Sequence, residues 1–447
     1  MLSEASDLPD RGPPTRIGRR DRAVLGQASV RRALPAGLLD AALASLASFI
    51  VTFYAARSLP AAGLGIYALF FNAFIMAAVV PTQLLFSSAE IASLPYRGRR
   101  RLGLLDQSLR SGFLLTVGAA ALGTIAAVVG SAGAPGALVV PLASTCVLCT
   151  AVSPVQDHVR RLLHLAGVSW RAAAMSVVQL TTVVGCLLLL SWLRVPTPWL
   201  PFGALLTANV LSLSLGLILA AERRNYEPLE RMMVRDLFRF GRWLVLVGLT
   251  PAAAWFLSGV LVTHLAGAAT LGYVEAARVV SMPIFVLMMG WSAVLVPRLM
   301  EAAAERRPDR ARLASLPFRI IIVISGVLYL LTVGFRWRLN PLSSMLPSAY
   351  AVQGVVSLMI VGQVLQGVLQ PPRAELTGVG WGGLLFRLSV AASIPLCLVA
   401  ATAGVTGVFA APLGLIAQGL VGLWLLERAR RRIYRGVRPA NGDRGSP

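Results

Sequence analysis

Long apolar runs alternate with short polar turns along most of this chain of 447 residues. A helix needs about 20 mostly apolar residues to cross the hydrocarbon layer of a membrane, and the runs are close to that length or longer. The pattern therefore predicts an all-α integral membrane protein with twelve spans. We place them at about residues 35–56, 64–94, 105–130, 137–157, 170–193, 200–221, 240–263, 271–297, 317–335, 348–370, 383–403 and 407–427.

Three polar segments divide the chain. Residues 1–33 form an arm rich in Pro and Arg without apolar periodicity, which predicts disorder. Residues 222–239 mix Arg with Leu, Met and Phe, as an amphipathic helix on the cytoplasmic membrane surface does. Residues 429–447 form a basic cytoplasmic tail. Between these segments lie two predicted lobes of six helices, an N-lobe at 34–221 and a C-lobe at 240–428.

A short stretch of the second lobe weakly repeats a stretch of the first. Sliding residues 57–69, RSLPAAGLGIYAL, forward by 207 positions places Leu64 and Gly65 on Leu271 and Gly272. The two lobes have the same number of spans and the same orientation. They are therefore predicted to be parallel repeats related by an axis along the membrane normal, an arrangement found in transporters.

Arginine supplies all 41 basic residues of the chain, against 19 acidic ones. In the predicted topology, 35 arginines lie in the polar segments on the side of the two termini and only 4 on the other side. This asymmetry predicts that both termini are cytoplasmic and that the protein is a multi-pass protein of the cytoplasmic, or inner, membrane. The same arginines are expected to attract anionic membrane lipids.

Composition and motifs argue against several classes of function. No basic domain stands free of the membrane, so nucleic acid is not an expected partner. The four cysteines lie in apolar runs without a second pair or a histidine cluster, so neither a metal nor another cofactor is expected. The longest predicted outer loop covers only about 336–347, and no nucleophile elbow, phosphate loop or HExxH motif is present. The chain is therefore not expected to be an enzyme.

Two ionisable residues lie within the eighth span. Glu275 and Arg278 are three residues apart, which places them on one face of a helix. Such a pair is costly in a membrane unless it faces protein or a water-filled cavity. The residues that the repeat aligns with them, Ala68 and Phe71, are apolar, so the pair belongs to one lobe only. It either lines a substrate cavity or locks the eighth helix to a neighbour.

Four further ionisable residues are candidates for the transport path or for ion coupling. Arg57 ends the first span and either lines a cavity or extends to the membrane surface. Arg110 follows Asp106 by four residues, which favours a helix-end ion pair over a cavity wall. Asp40 and Glu90 lie towards the cytoplasmic side, where each would bind a coupling cation or proton or pair with an arginine.

The tenth span carries a polar stripe at Gln363, Gln366 and Gln370. These amides either line a path for sugars or form hydrogen bonds between helices. Pro81 and Pro283 fall in the middle of the paired second and eighth spans. Neighbouring groups can compensate for a proline in a membrane helix, and we hypothesise that both prolines are bending points.

Three stretches carry a resemblance to a known family. They are residues 236–299, with Phe240-Gly241, Leu271-Gly272-Tyr273 and Val296-Pro297-Arg298; residues 56–69, ARSLPAAGLGIYAL; and residues 158–170, HVRRLLHLAGVSW. They resemble the seventh and eighth helices, the first turn and the turn after the fourth helix of the polysaccharide-export flippases. That family belongs to the superfamily that also holds the multidrug-and-toxin extruders (MATE) and the lipid II flippases. Unlike many members, this chain has no acid in its seventh span.

The resemblance implies a MATE-like fold and a translocase for a lipid-linked oligosaccharide, moved across the cytoplasmic membrane by alternating access of the two lobes. A polysaccharide polymerase and glycosyltransferases would then be partners. Arginines would bind the diphosphate, because guanidinium binds phosphate oxygens in pairs. The alternative is a multidrug or small-cation antiporter on the same fold, which needs a buried acid. A polysaccharide polymerase or ligase, which needs a larger outer loop, is the third interpretation.

Overall fold

The structure is a computed structural model that describes residues 19–93, 98–221, 234–335, 346–350 and 354–434. Every regular element in these ranges is helical, and twelve helices are long and apolar enough to cross a membrane. The prediction of an all-α membrane protein is confirmed. The helices, α1 to α12, are Arg19–Ser58, Ala61–Ala92, Gly98–Gly130, Gly136–Leu165, Ser169–Trp192, Leu200–Ala221, Val234–Ala266, Ala268–Ala304, Pro308–Gly334, Val355–Gly378, Gly382–Ala400 and Ala403–Ile433.

Some helices differ from their predicted extent. Residues 19–33, predicted as part of a disordered arm, continue α1 towards the N-terminus, and their Arg, Ala and Leu residues favour a helix. Helix α4 continues beyond the predicted end at residue 157 and stops at Leu165. The remaining predicted arm, most of the amphipathic linker, part of the longest outer loop and most of the basic tail lie outside the described residues. These are residues 1–18, 222–233, 336–345 and 435–447.

The two halves of the chain pack their helices in the same order. In the N-lobe α1 packs on α5, α5 on α6, α6 on α4, α4 on α3 and α3 on α2. In the C-lobe α7 packs on α11, α11 on α12, α12 on α10, α10 on α9 and α9 on α8. The architecture is therefore two six-helix lobes with the same internal arrangement, as the repeat predicts.

Two glycines join the lobes by reciprocal contacts between α2 and α8. A Cβ atom at Gly65 would lie 1.9 Å from the carbonyl oxygen of Ala268, and one at Gly272 would lie 2.0 Å from that of Ala61. The 207-residue shift relates Ala61 to Ala268 and Gly65 to Gly272. The two contacts are therefore equivalent: the same surface of α2 and of α8 meets at the crossing, as in two-fold related partners. Only glycine allows the backbones to approach this closely.

The interior is continuous between lobes at one end of the bundle. A single apolar core there joins all six helices of the N-lobe to α7, α8, α10, α11 and α12 of the C-lobe. We call this the closed end; it carries the α1–α2 turn at Leu59 and the α7–α8 turn at Gly267. At the opposite, arginine end, the described residues form three smaller cores, of which one lies in the N-lobe with Leu237 of α7 and two in the C-lobe.

Tyr350 forms a hydrogen bond between the two lobes at the closed end. Its hydroxyl donates a hydrogen bond of 2.8 Å to the carbonyl oxygen of Leu59 in the other lobe, and its ring packs edge-on against Tyr273 at 5.7 Å between centroids. Burial raises the pKa of the Tyr350 phenol. Because a phenol is neutral below its pKa, the raised pKa preserves the donor proton to higher pH than in an exposed tyrosine.

Candidate functional site

The predicted pair in α8 forms a buried, two-pronged ion pair. Arg278 donates from Nε to Oε2 of Glu275 at 2.8 Å and from Nη2 to Oε1 at 2.5 Å. The two residues are only 8% and 2% exposed. Both carboxylate oxygens are therefore occupied by the same guanidinium, and a phosphate could bind Arg278 through these nitrogens only by displacing Glu275.

The pair lies against the other lobe. The guanidinium carbon of Arg278 is 5.2 Å from the ring centroid of Phe71 in α2, and Phe71 belongs to an aromatic cluster with Tyr67 and Phe202. Phe71 is also the residue that the 207-residue shift aligns with Arg278. A residue that contacts its own repeat equivalent lies close to the two-fold axis. The ion pair is thus at the centre of the lobe interface.

Asp40 lies in a network of polar groups within the N-lobe. Its Oδ1 accepts a 2.5 Å hydrogen bond from Ser176 of α5, and its Oδ2 accepts one of 2.8 Å from Nε2 of His164 in α4. Nε of Arg160 is 3.7 Å from the same oxygen, and Arg160 also binds Asp157 at 2.6 Å. This network places α1, α4 and α5 together and compensates the charge of a carboxylate that is 5% exposed.

Glu90 lies in a second network, formed with the same helix α4. Nη1 of Arg161 is 3.5 Å from both of its oxygens, and Nδ1 of His158 is 3.7 Å from Oε1. The structure therefore brings each of the two acids predicted for ion coupling against one histidine and one arginine of α4.

Sequence reasoning missed His158, Arg160, Arg161 and His164, because the fourth span was predicted to end at residue 157. A signal was present. In the run DHVRRLLHL, His158 and Arg161 are three apart and Arg160 and His164 are four apart. Both spacings place the paired residues on one face if the helix continues.

The other predicted ionisable residues do not join these networks. Arg57 is exposed at the end of α1. Arg110 pairs with Asp106 at 3.0 Å, and the Arg110 side chain is 77% exposed, so the expected helix-end ion pair is what the structure contains. Such surface pairs contribute little to stability.

The three glutamines of the stripe on α10 differ in their contacts. Gln366 donates to Gln418 of α12 at 3.3 Å, and Gln418 donates to Ser393 of α11 at 3.3 Å, so this amide joins three helices of the C-lobe. Gln363 and Gln370 are half-buried. Arg373 follows Gln370 by three residues on the same helix face, and sequence reasoning had assigned it to a loop. It is half-buried, and no ion-pair partner for it occurs among the residues that the structure describes.

A further charged network ties the arginine end of the C-lobe together. Glu375 of α10 is fully buried and accepts hydrogen bonds from Nε of Arg430 at 2.9 Å and from the hydroxyl of Tyr434 at 2.8 Å. Arg430 also contacts Glu427 at 3.4 Å, and Glu427 binds Arg319 of α9. Burial and the bond to Glu375 raise the pKa of the Tyr434 phenol.

The two predicted bending points differ in their surroundings. Pro81 is buried and is followed at once by a π-helical segment, Thr82–Phe86, inside α2. A proline removes one backbone hydrogen bond, and π-helical turns occur where a helix has to accommodate such a defect. Pro283 is exposed and lies within the uninterrupted α-helix Ala268–Ala304. The structure thus places an irregularity beside Pro81 alone of these two.

The chain is similar to known proteins in structure. No family model and no curated protein matches the sequence. The inward-facing conformation of a multidrug resistance MATE family transporter of the MOP superfamily has 16% identity and a TM-score of 0.68, covering 89% of this chain and 96% of that one. An outward-facing conformation of such a transporter has 18% identity and a TM-score of 0.64, covering 91% and 96%.

A third solved structure is a MOP superfamily transporter from Pyrococcus furiosus, described as having a binding pocket of reverse polarity that suggests a different function. It is 16% identical with a TM-score of 0.61, covering 91% of this chain and 96% of that one. At such identities the likeness establishes the fold. The chain therefore has the multi-pass membrane fold of the MATE transporters of the MOP superfamily.

Proposed function

We propose that this protein is a flippase that moves a lipid-linked oligosaccharide across the cytoplasmic membrane by alternating access. The arginine end would face the cytoplasm, because arginines concentrate on that side of a membrane protein. The headgroup would enter between the lobes at this end while the lipid tail stays in the bilayer. The closed end would then open to release the headgroup on the other side.

The balance of buried charge is the observation that carries this proposal. Among the described residues, the buried acids Asp40, Glu275 and Glu375 each contact an arginine. Arg373 has no such partner within the part of the chain that the structure describes, and it continues the stripe of Gln363 and Gln370. An unpaired guanidinium followed by amides suits a diphosphate linked to sugars, since guanidinium binds phosphate oxygens and amides bind hydroxyls.

The alternative is a multidrug or small-cation antiporter. The structural neighbours described as multidrug resistance transporters support it. A cationic substrate requires an acid that is free to receive it. Each buried acid that the structure describes already contacts an arginine. An antiporter would therefore have to break one of these ion pairs to bind a cation, whereas the flippase would not.

Reconstituted vesicles test the proposal directly. The protein would be placed in vesicles with a fluorescent polyprenyl-diphosphate oligosaccharide, and a membrane-impermeant reductant would report the label that reaches the outer surface. We expect transfer of this lipid and no transfer of an equally labelled phosphatidylcholine. Failure to move the glycolipid, together with efflux of a cationic dye against a gradient, would establish the antiporter instead.

A further inference from the structure

A buried histidine in α4 has one ring nitrogen without a hydrogen-bond partner. His158 is 1% exposed, and its ring stacks on Phe86 at 4.3 Å with an interplanar angle of 12°. Its Nδ1 makes no hydrogen bond within the described part of the chain. A buried polar atom left without a partner is uncommon in folded proteins and calls for an explanation.

The other ring nitrogen must carry a proton. Nε2 lies 3.1 Å from the carbonyl oxygen of Leu105 and 3.0 Å from the hydroxyl oxygen of Ser108. The Ser108 hydroxyl donates its own proton to that same carbonyl at 2.7 Å. A carbonyl oxygen can only accept, so Nε2 donates and the neutral ring has its lone pair on Nδ1.

That lone pair faces a carboxylate. Nδ1 is 3.7 Å from Oε1 of Glu90. With Nδ1 bare, two electron-rich atoms oppose each other in a buried place; with a proton on either atom, the contact becomes attractive. The pair can therefore bind one proton, on Nδ1 of His158 or on the carboxylate of Glu90.

The surrounding charges and the exposure complete the site. Arg161, on the same helix as His158, lies against Glu90. On α3, Arg99, Arg100 and Arg101 lie near the start of the helix, and Asp106 and Arg110 pair with each other. Helix α6 carries no charged residue, and α7 carries Arg235, Asp236, Arg239 and Arg242 near its start. The side chain of Glu90 is 21% exposed, so a proton can reach the pair from the arginine end while His158 stays enclosed.

The same site contacts the π-helical segment of α2, against which α7 of the C-lobe packs. Phe86, which stacks on His158, closes the π-helical segment of α2. Helix α7 of the C-lobe packs on the opposite side of this segment. A Cβ atom at Gly241 would lie 2.2 Å from the carbonyl oxygen of Leu84 and 2.5 Å from Oγ of Ser88. The irregular segment of α2 is thus held between the histidine and the C-lobe.

We propose that His158 and Glu90 form a proton-binding site that controls the contact between α2 and α7. Uptake of one proton, on Nδ1 of His158 or on Glu90, converts a repulsive contact into an attractive one and shifts Phe86. Because π-helical turns are irregular and occur frequently at functional sites, and because Leu84 of this segment lies against Gly241, the shift changes how the lobes meet at the arginine end. The link to transport rests on the proposed function; the site and its response do not.

The imidazole can be observed directly, because the chain has only three histidines. Labelling them with ¹⁵N and recording spectra of the full-length protein between about pH 5 and pH 8, where histidine changes charge, gives one pair of ring-nitrogen signals for each histidine. The pair that is absent in the His158→Gln variant belongs to His158. We expect its neutral form to carry the proton on Nε2, and Glu90→Gln to change its titration. A neutral form protonated on Nδ1, or a titration indifferent to Glu90→Gln, would overturn the proposal.

The lobe response is tested by spin labels at two exposed positions of the arginine end, Trp170 in the N-lobe and Leu313 in the C-lobe, 61% and 77% exposed, after the native cysteines are replaced. We expect the distance distribution to change over the same pH range, and the change to disappear in His158→Gln and Glu90→Gln. His164→Gln, which removes the histidine beside Asp40, is the matched control and should keep the response.

A response that persists in His158→Gln, or that is lost in His164→Gln alone, would overturn the proposal. Where a variant does not fold, the wild-type tautomer still decides the geometry. If the lobes respond to pH through His158 but no glycolipid is moved in vesicles, the proton site stands and the flippase assignment fails.

Discussion

Arg278 and Glu275 illustrate how a charge can be kept inside a membrane protein at the surface between two halves. Their two hydrogen bonds satisfy both carboxylate oxygens, and the guanidinium also lies over Phe71. This geometry favours the structural interpretation of the pair over the substrate site.

A single variant and a double variant test that interpretation. Arg278→Met leaves Glu275 buried without a partner and is expected to cost about 3–5 kcal/mol of stability. Glu275→Leu combined with Arg278→Met removes both charges and should recover most of that loss. Thermal unfolding in detergent measures each variant. We expect the double variant to flip lipid at the wild-type rate; a stable double variant that cannot flip would return the pair to the substrate path.

Arg373 is expected to behave in the opposite way. Its side chain has no ion-pair partner among the described residues, so Arg373→Gln should leave the unfolding temperature unchanged. If the protein is the proposed flippase and Arg373 binds the diphosphate, the variant loses a charged hydrogen bond worth about 1.5–3 kcal/mol, which should slow flipping roughly ten- to a hundredfold. Arg110→Gln removes an arginine that is 77% exposed and serves as the control. Equal flipping by both variants would exclude Arg373 from the headgroup site.

At the scale of elements, the crossing of α2 and α8 depends on two glycines. An alanine at Gly65 would place its Cβ atom 1.9 Å from a backbone oxygen, so the helices must separate. We expect Gly65→Ala and Gly272→Ala to open the closed end. Labelling of a cysteine placed at Tyr273 by a membrane-impermeant thiol reagent should therefore increase.

The control for this prediction is Gly118→Ala in α3, where a Cβ atom would meet nothing within 4 Å. That change should leave the labelling as it was and should stabilise its helix slightly, because alanine favours helix over glycine by about 1 kcal/mol. Unchanged labelling in all three variants would contradict the role given to the glycine contact.

The bending hypothesis can be tested separately for Pro81 in α2 and Pro283 in α8. Pro81 precedes the π-helical segment, whereas Pro283 lies in regular helix. We expect Pro81→Ala to restore a backbone donor, straighten α2 and slow transport, and Pro283→Ala to have the smaller effect. Flipping rates in vesicles give the comparison. Equal and undiminished rates would end the hypothesis for both residues.

Much of this architecture follows from local pattern, and the rest depends on contacts that no local pattern contains. Apolar runs located twelve spans, and spacing alone paired Glu275 with Arg278. The contact of Arg278 with Phe71 joins residues far apart in sequence, so periodicity could not predict it. His158 and His164 were missed because the predicted end of the fourth span left them in a turn. The π-helical segment has no sequence signature of its own.

At the scale of the whole molecule, one large core joins the lobes at the closed end, whereas the described residues of the arginine end form three smaller cores, of which one includes Leu237 of α7. The bond from Tyr350 to Leu59 is one of the polar contacts that hold the closed end. A neutral hydrogen bond contributes about 0.5–1.5 kcal/mol. Tyr350→Phe retains the ring against Tyr273 and loses the bond, so it should shift the lobes towards the opposite state about two- to tenfold.

Spin-label distances across the closed end measure this shift. Tyr54→Phe removes a hydroxyl that contacts Ser191 inside the N-lobe at 2.8 Å, and it should leave the distances unchanged. Because the pKa of Tyr350 is raised, the contribution of its hydroxyl should also be insensitive to mildly alkaline pH. A response of the same size in both variants would show that the Tyr350 bond has no special role.

The stacking of Arg278 on Phe71 requires that the two lobes differ in sequence at equivalent positions. Near a two-fold axis, two identical halves would carry the same residue at both positions. Two arginines would repel each other, and two phenylalanines would form no cation–π contact. Only a chain whose halves have diverged can place a cation on one side and an aromatic face on the other. The two lobes expressed as separate polypeptides should therefore prefer each other to copies of themselves.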